Sequence, residues 1–135
     1  MSYLLDTNIC IYWLKGNQVI EQQAIKNGLE NLFISFITLS ELYYGAFRSK
    51  RVLENLASIY FLKNKLKVIE SNEKICETFG KIKANLVNSG KIIDDADIFI
   101  ASCALNINAT LVTNNEKHFV EIEDLKIVNW IKNIS

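Results

Sequence analysis

Short apolar runs alternate with longer amphipathic stretches along almost the whole chain, and this alternation limits the fold more than any other feature. Tyr3 to Leu5 is a brief apolar run stopped by Asp6, Thr7 and Asn8. That pattern suits a buried strand handing over to a capped helix over Ile9 to Lys15. A second helical piece, Val19 to Lys26, closes at Gly28 in the place of a left-handed cap. The β-rich Leu32 to Phe36 leads into a helix that Thr38 opens and that runs through Glu41 and Tyr44 towards Phe47. Apolar residues return at helical spacing from Val52 to Leu62, and a short β-like pair follows at Val68 and Ile69. Glu73 to Asn88 is amphipathic and ends at Gly90; Asp94 opens a helix through Ala104; Thr110 to Thr113 is a strand, and Ile127 with Val128 is a last one. Strands alternating with helices predict an α/β fold in three layers, α/β/α, around a central parallel sheet with right-handed crossovers. No linker, repeat or low-complexity tract divides the 135 residues, so the expectation is one domain over 1–135.

Composition narrows the function. Half the residues are hydrophobic and 22% are charged, which describes a chain able to bury a core. Fifteen basic and fifteen acidic residues cancel, so attraction to nucleic acid has to come from local patches, and a protein that coats DNA nonspecifically is excluded. Cys10, Cys76 and Cys103 are odd in number and far apart, and His118 is the single histidine. These residues cannot assemble a structural zinc site, and they read as free thiols in a reducing compartment. The N-terminal run is interrupted by Asp6 and lacks a basic start, so it is expected to be neither signal peptide nor membrane anchor, and the protein to be cytoplasmic.

In open α/β sheets ligands gather beyond the carboxyl ends of the strands. Three acids fall at such places. Asp6 directly follows the first strand, Glu41 belongs to the first turn of the helix after the second, and Asp97 lies near the start of the helix from Asp94. Each also has a capping explanation: Asp6 or Asn8 as an N-cap, Thr38 with Glu41 as an S/T-x-x-E box, Asp94 with Asp97 as a similar pair. Caps need no convergence, however. Three carboxylates brought into one crevice repel one another unless a cation sits among them, which is the condition for a hard divalent metal such as Mg²⁺. Phosphodiester hydrolysis by metal-activated water is the matching chemistry.

With these residues located, the chain resembles the PIN-domain ribonucleases, specifically the VapC toxins of toxin–antitoxin modules. The likeness rests on Leu5-Asp6-Thr7-Asn8, Ser40-Glu41-Leu42 with Tyr44-Gly45-Ala46, Asp97-Ile98-Phe99-Ile100-Ala101, and Val112-Thr113-Asn114-Asn115 running to His118-Phe119 and Trp130. The resemblance implies a PIN-like fold and a metal-dependent endoribonuclease in which Asp6, Glu41 and Asp97 are the principal acids. Asp6 and Asp97 would be the direct ligands of Mg²⁺ or Mn²⁺, and Glu41 would support metal or water. The fourth acid of many relatives falls near Asn115 or His118, neither of them a carboxylate, although Glu116 is adjacent. Asn115, Glu116 and Thr113 are therefore candidates for the outer shell, and one metal ion at rest is expected. Thr113 reads as a strand-end hydroxyl bonding the backbone or Asp6, and His118 as a packing or hydrogen-bonding residue outside the site.

The resemblance also implies a VapB-like antitoxin, a homodimer and a structured RNA substrate such as tRNA. Core packing is expected to take up most of Tyr12, Trp13, Tyr43, Tyr44 and Phe47, with the remainder lining a groove for an amphipathic partner. Arg48, Lys50 and Arg51, then Lys63, Lys65 and Lys67, form basic clusters able to hold RNA phosphates. Other readings are a PIN-fold binding module of weak or no activity and a housekeeping RNA-processing nuclease. A dehalogenase-type phosphatase would need a second acid where Asn8 stands, and a receiver-like module would need aspartate where the middle strand ends in Glu70.

Overall fold

The computed structural model describes residues 1–131; Lys132 to Ser135 lie outside the described residues. Five strands, β1 (Tyr3–Leu5), β2 (Leu32–Ser35), β3 (Lys67–Ile69), β4 (Thr110–Val112) and β5 (Ile127–Val128), form one sheet of order β3-β2-β1-β4-β5. Every neighbouring pair is parallel. The helices are α1 (Thr7–Leu14), α2 (Gln18–Asn27), α3 (Phe36–Arg48), α4 (Val52–Lys65), α5 (Glu73–Asn88), α6 (Asp95–Asn106) and the single turn α7 (Glu116–Phe119).

The two-residue period of the strands sorts the core into two halves. Leu5, Leu32, Ile34 and Val112 point to one face, where they pack against Ile9, Trp13, Ile20, Leu42 and Ile59 of α1 to α4. Leu4 and Leu111, with Phe33 and Ile69 beside them, point to the other face, against Ile75, Ile100, Cys103 and Phe119 of α5 to α7. Strands covered on both faces read as near-continuous apolar runs, which is why runs as short as Tyr3 to Leu5 specify them. The expected three-layer α/β/α architecture with a central parallel sheet is what the chain adopts.

Three local expectations are corrected. The helix after β2 starts at Phe36, not Thr38, because Ser35 is its cap: the Ser35 hydroxyl accepts from the Thr38 N–H at 3.0 Å. The Thr38–Glu41 capping box is therefore absent, and Glu41 sits in the second turn rather than the first. Asp94 holds the N-cap position of α6 but makes no side-chain cap bond. Gly28 does take a positive φ of 90°, yet its ψ of 120° sends the chain into a 3₁₀ turn at Leu29–Asn31, with no Schellman closure. A β-carbon there would sit 2.7 Å from Glu30 Oε1. The expected burial of the aromatics also fails for most of them: Trp13 is buried and donates to Glu21 at 3.0 Å, whereas Tyr12, Tyr44 and Phe47 are exposed. Tyr43 is half-buried and stacks on Phe47.

Candidate active site

The site is built where the sheet ends. The ladder between β1 and β4 runs one residue past β1, with the Asp6 N–H donating to Val112 O at 2.9 Å, and the ladder between β4 and β5 runs one residue past β4, with the Thr113 N–H donating to Val128 O at 3.0 Å. Asp6 and Thr113, 107 residues apart in sequence, thus become cross-strand neighbours, and the Thr113 hydroxyl donates to Asp6 Oδ2 at 2.8 Å. Asp6 Oδ1 accepts from the Thr7 N–H at 2.8 Å, so this candidate site acid also caps α1. Thr113 in turn accepts from the Asn115 N–H at 3.0 Å, which ties the outer-shell candidate Asn115 to Asp6 through one hydroxyl. Glu116 Oε2 lies 3.5 Å from the Asn129 amide, facing β5.

Asp6 is 4% exposed, and burial raises its pKa above the ordinary value; the bonds from Thr113 and Thr7 oppose the rise, while repulsion from Asp97 and Glu41 adds to it. That repulsion joins an acid after β1 to one from α3 and one from α6. Asp97, in the first turn of α6, is likewise pushed up by burial, against the hydrogen bond and charge of His118. His118 Nδ1 lies 3.0 Å from Asp97 Oδ2. The hydrogen-bonding reading of His118 thus finds its partner in Asp97, a candidate metal ligand. The single turn α7 carries Phe119 into the core, and that anchor turns the preceding histidine to Asp97. A cavity of about 160 Å³ lined by Ile93, Asp94, Asp97, Lys117 and His118 opens beside the pair.

Glu41 is exposed and accepts a hydrogen bond from the Thr7 hydroxyl. Thr7, Thr38 and Ser35 are site residues that sequence reasoning missed, although a serine at a strand-to-helix junction is a readable cap signal. On the other side of Glu41, a groove of about 300 Å³ runs between α1, α3 and α4 over Ile11, Leu14, Leu42, Ala46 and Ile59. A larger hollow of about 550 Å³ between α5 and the loop after α7 contains none of the three candidate acids.

Among the described residues, no three Asp, Glu, His or Cys side chains close into a ready-made metal cage. The donor set still fits Mg²⁺, which takes one or two carboxylates and keeps several waters, and which would relieve the strain of two partly buried acids. The free-thiol reading of the cysteines is consistent with their surroundings: Cys10 and Cys103 are buried, Cys103 with a pKa pushed up to about 11, and Cys76 is exposed.

The sequence model of the PIN domain matches residues 3–125. The chain belongs to the PIN-domain family. Within it the chain groups with the VapC ribonucleases: it is 40% identical to Ribonuclease VapC1 of Haemophilus influenzae, over 98% of this chain and 100% of that protein. It is 30% identical to the tRNA(fMet)-specific endonuclease VapC of Shigella flexneri, over 96% of this chain and 98% of that one. Among solved structures, VapBC2 of Rickettsia felis bound to a promoter DNA fragment superposes with a TM-score of 0.91 at 36% identity, covering 96% of this PIN chain and 99% of that chain. No helix of the described residues is long and apolar enough to cross a membrane.

Proposed function

We propose that this PIN protein is a Mg²⁺- or Mn²⁺-dependent endoribonuclease, the toxin of a VapBC-type pair, acting in the cytoplasm on structured RNA such as tRNA. The observation that carries the reading is Asp6: a carboxylate buried at the end of the central strand, held by two hydrogen bonds and set in the field of Asp97 and Glu41. Asp6 and Asp97 would hold the metal, which when bound supplies a water activated for attack on phosphorus. Thr113 fixes the Asp6 carboxylate, and His118 fixes Asp97. Glu41 faces the same crevice from α3 and orients water there. Single occupancy is expected because neither Asn115 nor His118, the two positions near which the fourth acid falls, is a carboxylate, and His118 is bonded to Asp97.

The partner reading rests on the groove beside Glu41. Its apolar floor and the exposed Tyr44, Phe47 and Tyr60 on α3 and α4 suit the apolar face of an antitoxin helix, which would cover the entrance to the site. A homodimer of 135-residue chains belongs to the same reading, and light scattering of the purified toxin measures it. The His118–Asp97 contact favours one alternative, a PIN-fold binding module of weak activity. Wild type, Asp6→Asn and Asp97→Asn on total tRNA, with Mg²⁺, Mn²⁺ or EDTA, separate the two. Discrete cleavage lost in both variants and in EDTA supports the nuclease; equal cleavage by all three proteins, or none by folded antitoxin-free wild type, overturns it.

A further inference from the structure

Thr7 touches both acids that flank it. Its backbone N–H donates to Asp6 Oδ1 and its hydroxyl to Glu41 Oε1. Behind it stand two fully buried hydroxyls: Thr38 Oγ1 is 3.0 Å from Thr7 Oγ1, and Ser35 Oγ is 3.3 Å from Thr38 Oγ1. The Thr38 N–H closes the chain on Ser35 Oγ at 3.0 Å. A hydroxyl has one proton and an ionised carboxylate only accepts, so the direction of every link is forced. The Thr38 N–H donates to Ser35, Ser35 to the Thr38 hydroxyl, Thr38 to Thr7, and Thr7 to Glu41. Each link polarises the next, and the chain discharges on a carboxylate that is otherwise exposed to solvent.

We propose that Thr7 is a positioning residue of the nuclease, which holds the Glu41 carboxylate beside Asp6 through a one-way chain of hydroxyls anchored at Ser35. This rests on the nuclease reading above. Glu41 is a long side chain on the second turn of α3, and Asp6 repels it. Left to itself it would swing into solvent. The chain supplies the opposing pull, and it is assembled from three elements: the end of β2, the start of α3 and the first residue of α1. Thr7 is suited to the junction because its amide is already committed to Asp6 while its side chain stays free to reach α3.

Thr7→Val keeps the shape and removes the hydroxyl; Thr7→Ser keeps the hydroxyl. With tRNA as substrate, Thr7→Val is expected to lower kcat by about 10-fold or more with KM little changed, as misplacement of a reacting group does, and Thr7→Ser to restore most of it. Adding Thr7→Val to Glu41→Gln is expected to cost nothing further, because the residue acts through Glu41. Crystal structures of the three Thr7 forms supply a readout apart from activity: the Glu41 carboxylate stays against residue 7 in wild type and Thr7→Ser and leaves it in Thr7→Val. Equal loss in Thr7→Ser, full additivity with Glu41→Gln, or an unmoved Glu41 in Thr7→Val would each overturn the proposal. Wild type that cuts no RNA would sink the nuclease reading instead, and the Glu41 positions would then decide this one alone.

Discussion

At the scale of the residue, the site works against the stability of the chain that carries it. Burial raises the pKa of Asp6 and of Asp97 from an ordinary 3.8, so as the pH falls the folded protein takes up their protons before the unfolded chain does. Stability from these groups is full at pH values below about 3.8 and is lost as pH rises through the raised native values. Metal-free wild type is therefore expected to lose stability from this source as the pH climbs from about 4 towards neutral. Asp6→Asn removes one of the two charges; in EDTA at pH 7 it should raise Tm by a few degrees, roughly 1 kcal/mol, while ending cleavage. Calorimetry over a pH series checks both the sign and the flattened slope. His118 acts in the opposite sense on Asp97, which it holds down. In His118→Ala the Asp97 pKa rises further, and the acid limb of the kcat/KM profile is expected to move to higher pH.

At the scale of the element, caps decide where helices begin, and with that which side chains reach the carboxyl edge. Ser35 caps α3 three residues before Thr38 would have done, and this places Glu41 a turn deeper into the helix, within reach of Thr7. Helix α5 shows the same control at a distance. Asn72 accepts from the Ile75 N–H at 2.9 Å, and Ile75 is buried in the half-core that α5 shares with α6, the bearer of Asp97. Asn72→Ala is expected to cost about 1 kcal/mol in urea unfolding. Because its effect is on the start of α5 and not on Asp97 itself, kcat should stay near the wild-type value at temperatures where the variant is folded.

At the scale of the whole molecule, charge balance and charge placement do different work. Formal net charge is zero, yet Arg48, Lys50, Arg51, Lys63 and Lys65 are all exposed along α3, α4 and their junction. Lys63 lies over the Tyr60 ring at 5.6 Å and Lys65 over Phe61 at 4.8 Å, so cations and exposed rings share one flank of the protein. If RNA is held there, raising salt from about 50 to 200 mM should weaken tRNA binding by roughly 10-fold, the loss expected of two or three phosphate contacts. Lys63→Ala with Lys65→Ala should lower the affinity and shallow that salt slope, measured by fluorescence anisotropy in EDTA. A slope unchanged by the two substitutions would place the RNA elsewhere.

The sequence by itself determined the strands, the longer helices and the parallel sheet, and it nominated the three acids, because these rest on signals local to a few residues. Strands buried on both faces announce themselves as apolar runs, amphipathic helices by their period, Asp6 by its place after a strand and Asp97 by its place at a helix start, while Glu41 sits a turn deeper in its helix than the sequence places it. Only the tertiary structure decided the bonds between distant segments. Thr113 meets Asp6 because β4 is laid beside β1 in a particular register; His118 meets Asp97 because Phe119 is buried; Thr7 meets Glu41 because Ser35, and not Thr38, caps α3. The burial of the aromatics was out of reach for the same reason. Whether Tyr44 or Phe47 is covered depends on how α3 and α4 settle on the sheet, and no repeat along the chain encodes that angle.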